Sequence, residues 1–380
     1  MRFNGARLRV LRRFHNLTQR GLGELIGSSA SVITGYERGT TEPKGIALDA
    51  LCAALHVEQG YFFNSKKDDE FQEHETNFRS LVDTPDRLRK KVLAHATLFG
   101  AILNLLTTKV RLPALKLPQI QATTLDEIER AAERCRIEWG VGIDAPIHNV
   151  THMIESAGMV VTVLDNDISK KIDAFSRYGA TNLIVLNPAK GSASRARMDL
   201  AHEAAHGALH QGGIPIDLSL REDQAKYFAS ALLLPQKSFA REFWALGQSR
   251  SWEHLLDLKR RWGVSVPAIV MRAYHLGLID AAEYRRRYKQ MSQQGWLKGA
   301  EPEEPDGESP QLFSLVMQRY QAETGKSTLA IAEDLHWGPE LFKQITGFAA
   351  IVDMDTQPQR QPDPTVSSFD EYRLRKMAAG

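Results

Sequence analysis

Hydrophobic positions along this chain of 380 residues change their spacing several times, and each change marks a different kind of element. Between residues 4 and 57, Leu8, Leu11, Leu22, Leu25, Ile26, Val32, Ile33, Leu48, Leu51 and Leu55 recur at intervals of three and four. That is the spacing of short amphipathic helices, here four or five of them. Thr18 stands where an N-cap belongs, as does Ser28 or Ser29 before the next helix. The stretch from Leu25 to Ser29 supplies a glycine-containing turn between paired helices, with Ala30 to Arg38 as the second of the pair. From Phe78 to about Val110 the helical spacing returns. Leu88, Val92, Leu93, Ala96, Leu98, Phe99, Ile102, Leu103 and Leu106 form a face wide enough for a dimer partner or for packing within the chain.

A capping box at Thr124-Leu125-Asp126-Glu127 starts a helix that runs to Trp139 and stops at Gly140, and another follows over 147–156. The period then shortens. Residues 159–164 and 182–187 are β-branched runs bounded by glycine and proline, hence strands, and 172–177 reads as a third. Helices resume around 202–206, 222–235 and 252–297, where 262–269 has a second helix-turn-helix-like pattern best used for packing. The expected fold class is mainly α with a small β-sheet, an α+β protein.

Composition adds limits. An apolar content of 43% and a charged content of 25% are ordinary for a globular protein. No run of eighteen apolar residues predicts a membrane span, and the first residues lack the apolar core of a secretion signal. Only Cys52 and Cys135 occur, which points to reduced thiols in a cytoplasmic protein rather than a disulfide framework. The net charge of +2 conceals six arginines from Arg2 to Arg20 (Arg2, Arg7, Arg9, Arg12, Arg13, Arg20) with no acid among them. Beside a helix-turn-helix pattern, such a run predicts contact with the phosphates of double-stranded DNA.

The segment richest in chemistry is His202-Glu203-Ala204-Ala205-His206. Residues four apart on a helix share a face at about 6 Å, so His202 and His206 can grip one metal ion. Zn²⁺ then needs a third protein ligand and keeps a position for water. Sixteen residues on, Glu222, Ala225, Ala229 and Leu232 form one helical stripe. Ala201, Ala204, Ala205 and Ala208 form a matching small-residue face on the first helix. Close packing of the two faces would carry Glu222 to the metal. The expected site is therefore His202, His206 and Glu222 as ligands and Glu203 as catalytic base. His210 lies about 12 Å along the helix from His202, too far to share the ion. It fits a supporting contact or plain packing, and Asp217 is a weaker candidate ligand.

The N-terminal pattern resembles the Xre/Cro-type helix-turn-helix family. The carrying residues are Thr18-Gln19, then Ile33-Thr34-Gly35-Tyr36-Glu37-Arg38-Gly39 and Pro43, within a stretch from Leu17 to Val57. The resemblance implies a five-helix DNA-binding domain in which Gln19, Ser29, Ser31, Thr34 and Arg38 face DNA, and a homodimer reading two half-sites. Small hydroxyls predict modest direct base reading. Gly21, Gly23 and Gly35 depart from good helix chemistry, each costing about 1 kcal/mol of propensity.

Residues from about 128 to 235 resemble the ImmA/IrrE zinc metallopeptidases. The carrying segments are Ile172 to Ser176, Leu200 to His210 and Glu222 to Pro235. The resemblance implies a zincin-like domain in which the residues matched by His202, His206 and Glu222 bind metal and that matched by Glu203 is the general base. Ala204-Ala205 stands where Leu-Gly is common, leaving the ligand spacing intact, and Lys226 stands where asparagine is common.

The organisation expected is a DNA-binding domain over 1–65, a helical linker or dimerisation segment over 66–122, and the zincin-like domain over 123–250. A helical unit follows over 251–300, then an acidic proline-rich linker with a small helical cap over 301–352, and a disordered tail over 353–380. The leading functional reading is a DNA-binding regulator with a zinc endopeptidase that cleaves a protein such as an Xre-type repressor. The alternative is a non-catalytic transcription factor or antitoxin whose zinc domain senses a ligand or holds a partner.

Overall fold

The computed structural model describes residues 2–63, 85–164, 174–179, 181–187, 191–211, 217–247, 251–298 and 301–351. Among them, helices dominate and a single three-stranded sheet accompanies them, the mainly α, α+β architecture expected from the sequence. The expected tail, 353–380, and the start of the helix expected from Phe78, up to residue 84, lie outside the described residues.

Five helices open the chain: α1 (Gly5–Phe14), α2 (Gln19–Leu25), α3 (Ala30–Arg38), α4 (Ile46–Leu55) and α5 (Gln59–Phe63). They close around Leu8, Leu11, Leu22, Ile33, Leu51 and Phe62, all fully buried. Thr18 caps α2 by accepting from Gly21 N, and Ser29, rather than Ser28, caps α3 by accepting from Val32 N. A Cβ on Gly23 would stand 2.8 Å from the Ser28 carbonyl oxygen, and one on Gly35 2.6 Å from the Thr41 hydroxyl. These two glycines, read from sequence as losses of helix propensity, are what lets the turns close onto their helices.

The arginine run needs correcting. Arg7 is buried and donates to the Tyr61 carbonyl at 2.6 Å. Arg12 makes a two-pronged pair with Glu37, Arg20 pairs with Glu24, and Arg2 donates to the Gly39 carbonyl. Arg7 and Arg12 are therefore internal ties of the domain, whereas Arg2 and Arg20 keep most of their side chains exposed.

Helix α6 (Asp86–Leu106) packs against α1. Its apolar face is covered by α1 and by two C-terminal helices, α15 (Leu312–Thr324) and α17 (Pro339–Thr346). Packing within the chain therefore accounts for the face that could also have suited a dimer partner.

Strands β1 (Val160–Val163), β2 (Ala174–Arg177) and β3 (Leu183–Leu186) lie in the order β1-β3-β2, with β1 parallel and β2 antiparallel to β3. Ile172 and Asp173, expected in β2, fall outside the described residues. The central strand β3 is buried on both faces, so Leu183 to Leu186 reads as a continuous apolar run. Side chains alternate between two cores. Val160, Phe175, Leu183 and Val185 join the core of α1–α6, α15, α16 (Thr328–Asp334) and α17.

Val161, Ala174, Ile184 and Leu186 join the second core. That core is built from α7 (Leu125–Glu138), α8 (Val150–Ser156), α9 (Ala193–Leu209) and α10 (Leu218–Leu233). It continues through α11 (Gln236–Ala245), α12 (Trp252–Trp262), α13 (Val266–His275) and α14 (Ala281–Gln293). The Thr124–Glu127 capping box is present at α7. The helix-turn-helix-like pair α12–α13 turns its Trp262, Val266 and Ile269 into this core.

Residues 301–310 are not a free linker. Glu301 accepts from Lys259 Nζ and from Val266 N at the start of α13, both at 2.9 Å. Glu304 accepts from the same Lys259 Nζ at 2.6 Å and from Ser194 N at the start of α9. Glu308 accepts from Val150 N and Thr151 N at the start of α8, and from Arg197 of α9 at 2.9 Å. In return Glu155 of α8 accepts from Gln311 N and Leu312 N at the start of α15. Helix N-termini leave unpaired N–H groups and favour negative charge. Three of the acids that made this segment look like a solvated linker, Glu301, Glu304 and Glu308, are thus the caps of three helices, and Glu155 caps a fourth.

Candidate metal centre and nucleic-acid interface

Small residues bring His202, His206 and Glu222 together. Ala201, Ala204, Ala205 and Ala208 on α9 and Ala225 and Ala229 on α10 are fully buried where the two helices pack along each other. With nothing longer than a methyl group between them, the helices come close enough to aim Glu222 at the histidine pair. His206 Nε2 lies 3.1 Å from His202 Nε2, and the Glu222 oxygens lie 3.3 Å from His202 Nε2 and 3.4 Å from His206 Nε2. Three ligands about 2.0–2.1 Å from one tetrahedral ion would stand about 3.3 Å apart. The donor set fits a zinc-like cation without adjustment.

Proton positions support the same fit. Gln224 Nε2 donates to the Ala122 carbonyl at 3.1 Å, which leaves its Oε1 to accept from His210 Nε2 at 3.1 Å. His210 is then protonated on Nε2, so its Nδ1 accepts from His206 Nδ1 at 2.9 Å. That chain leaves His206 Nε2 a bare lone pair facing the Glu222 carboxylate. A cation held among the three groups would satisfy both acceptors. Burial pushes the His206 imidazole down to about 4, against the pull of Glu222, so the ring is neutral at pH 7. Burial also lowers His202, but the hydrogen bond to Glu222 and the charges of Glu203, Glu222 and Asp199 outweigh it and raise the ring overall. Glu222 is held well below the carboxylate range: its burial is outweighed by the two histidines.

Glu203 is only 2% exposed. Burial pushes it up to about 7, opposed by His202 and by a 2.6 Å hydrogen bond that Ser176 Oγ donates to it. The Tyr178 hydroxyl donates to the Glu203 carbonyl at 2.6 Å. A Cβ on Gly207 would stand 2.6 Å from the Tyr178 ring, so Gly207 gives β2 its close approach to α9. It does not break the helix, which continues to Leu209. Ser176, Tyr178 and Gln224 were given no role from sequence. A signal for Ser176 existed in the strand period, which sends Ala174 and Ser176 to the same side, towards α9. His210 contacts His206 and stands outside the group of His202, His206 and Glu222. Asp217 caps α10, and Lys226 points to solvent beside Asp223.

At the other end, Ser29, Ser31 and Arg38 are exposed on α3, and Thr34, half-buried, donates to the Ala30 carbonyl. Gln19 is placed differently. It donates to Glu37 at 2.8 Å, joining the Arg12 pair, so its amide nitrogen serves the domain interior.

Residues 5–60 match the family described as a helix-turn-helix domain, and residues 155–274 match the IrrE N-terminal-like domain. The chain joins a helix-turn-helix domain to an IrrE-like domain. A curated relative, the uncharacterized HTH-type transcriptional regulator y4aM of Sinorhizobium fredii (strain NBRC 101917 / NGR234), is 37% identical over 65 residues. That similarity covers 17% of this chain and 46% of the relative, so the chain spans less than half of that protein's length. These matches assign a helix-turn-helix domain and a metallopeptidase-like domain to one chain. Among the described residues, no helix is long and apolar enough to cross a membrane.

Proposed function

We propose that the protein is a DNA-binding transcription regulator whose IrrE-like domain is a zinc endopeptidase acting on a protein substrate, such as an Xre-type repressor. The observation that carries this reading is the convergence of His202, His206 and Glu222 at 3.1–3.4 Å, beside a carboxylate held near neutrality. His202, His206 and Glu222 would hold Zn²⁺, which when bound polarises a carbonyl and acidifies water. Glu203 takes the proton of the attacking water and returns it to the leaving amine. Ser176 fixes the Glu203 carboxylate in one orientation. Ser29, Ser31, Thr34 and Arg38 meet DNA from the exposed side of α3, with Gln19 contributing from the start of α2.

The near-complete burial of Glu203 favours a second reading, in which the loaded site senses metal or holds a partner without hydrolysis. One experiment separates them. Wild type and Glu203→Gln, each loaded with one equivalent of zinc, are incubated with Xre-type repressors, and the fragments are read by mass spectrometry. The peptidase reading expects cleavage by wild type and a loss of at least about a hundredfold in the variant, with zinc content unchanged. Equal cleavage by both would remove Glu203 from the chemistry. No cleavage by either, with DNA affinity that follows zinc occupancy, would establish the sensor.

A further inference from the structure

The C-terminal pair α16–α17 meets the DNA-binding domain through a contact with local twofold character. Val57 and Trp337 form an antiparallel bridge. Glu58 N donates to the His336 carbonyl at 2.9 Å, and Gly338 N donates to the His56 carbonyl at 2.8 Å. Both sides arrive at the bridge in the same way. His56 follows α4 and His336 follows α16, each in the left-handed region with φ of 55° and 56°. Val57 N turns back to Cys52 O as Trp337 N does to Ala332 O. One constant offset along the chain carries Leu51, Leu55, His56 and Phe62 onto Ile331, Leu335, His336 and Phe342. The same offset carries the start of α5 onto the start of α17. Reciprocal contact between like segments is the signature of an isologous interface.

We propose that the α4–α5 edge is a self-pairing surface, that α16–α17 covers it as an internal stand-in for a second copy, and that a second copy of this chain takes its place when the stand-in is displaced. Glu58 already occupies, with its side chain, the register that Gly338 occupies on the opposite side. Two identical edges can therefore exchange the same hydrogen bonds. The stand-in holds two advantages over a second copy. Trp337 brings a larger apolar side chain to the bridge than Val57 does, and it is 2% exposed there. It is also tethered, so it competes at a high effective concentration. The closed chain is thus self-contained, and pairing is conditional on release of its C-terminal helices.

The test reads the mass of the full chain in solution without DNA or zinc, so it stands or falls apart from the regulator reading. In Trp337→Asp, a carboxylate would replace an indole that is 2% exposed, and its desolvation would force the bridge open. Trp337→Ala weakens the same contact by a different route, so a folding failure in one variant leaves the other to decide. Sedimentation equilibrium should give 42.6 kDa for wild type and about twice that for an opened variant with wild-type helix content. Adding Val57→Asp to the opened variant should restore the single-chain mass. A folded variant that stays single, or a pair insensitive to Val57→Asp, overturns the proposal.

Discussion

Glu155 ends α8 in a position that sets an electrostatic conflict inside one side chain. Burial pushes its carboxyl up to about 7, while the Gln311 and Leu312 N–H groups of α15 pull the other way as ligands of the anion. Burial wins, so the folded chain holds a proton there that the unfolded chain has already lost above about 4.5. Stability from this group is present at low pH and is lost as pH rises from about 4.5 to about 7. At about 1.4 kcal/mol per pH unit, the whole loss is about 3 kcal/mol. Glu155→Gln, whose amide oxygen still accepts from the same N–H groups, should abolish that slope. Urea midpoints measured for both proteins from pH 4 to pH 8 should diverge only within that window, and a constant difference would show that the carboxyl does not titrate there. Sequence made the grouping of His202, His206 and Glu222 beside Glu203 legible at this scale, because i and i+4 histidines have a fixed geometry. The residues that set their protons, Ser176 and Gln224, were hidden, since their partners are reached only through the fold.

Elements were read most securely where a cap and a period agreed. Thr18, Ser29 and Thr124 start their helices as expected, and the strands sit within the β-branched runs. Glycines were misjudged for a physical reason: propensity is local, whereas the need for a missing Cβ depends on what folds back onto it. Gly21 and Gly23 lie in the same helix and separate the two effects. Alanine at either would gain up to about 1 kcal/mol of helix propensity. At 21 the new methyl meets the Thr18 hydroxyl at 3.3 Å, a side chain that can give way, whereas at 23 it meets backbone at 2.8 Å. Gly23→Ala should therefore destabilise by about 1–3 kcal/mol, the range for overpacking, and weaken DNA binding by shifting α3. Gly21→Ala should stay within about 1 kcal/mol of wild type. Thermal melts together with binding to a DNA duplex would check the order, and equal effects at the two positions would refute it.

Across the whole molecule, the two cores share one sheet, and residues 301–310 tie its second core to the C-terminal helices that pack on the first. Composition concealed this, because an acidic stretch with prolines looks the same whether its carboxylates face water or helix N-termini. Lys259 is the residue that distinguishes the two states. It is 0% exposed, and its ammonium is shared between Glu301 and Glu304. Replacing it with methionine keeps the volume and removes the charge, leaving Glu301 buried without its cation. Breaking a buried pair in this way costs about 3–5 kcal/mol. The least expensive escape is local: the strap lifts, Glu301 and Glu304 reach water, and the Ser194 and Val266 N–H groups are left to solvent. When opening is fast, proteolysis follows the population of the open form, which should rise by on the order of a hundredfold or more for a cost of this size. A glutamate-specific protease should therefore leave residues 301–308 intact in wild type and cut there first in Lys259→Met, releasing a fragment that carries α15–α17. Cleavage of both proteins at the same rate would mean that the strap is loose in solution, and its glutamates would then cap nothing.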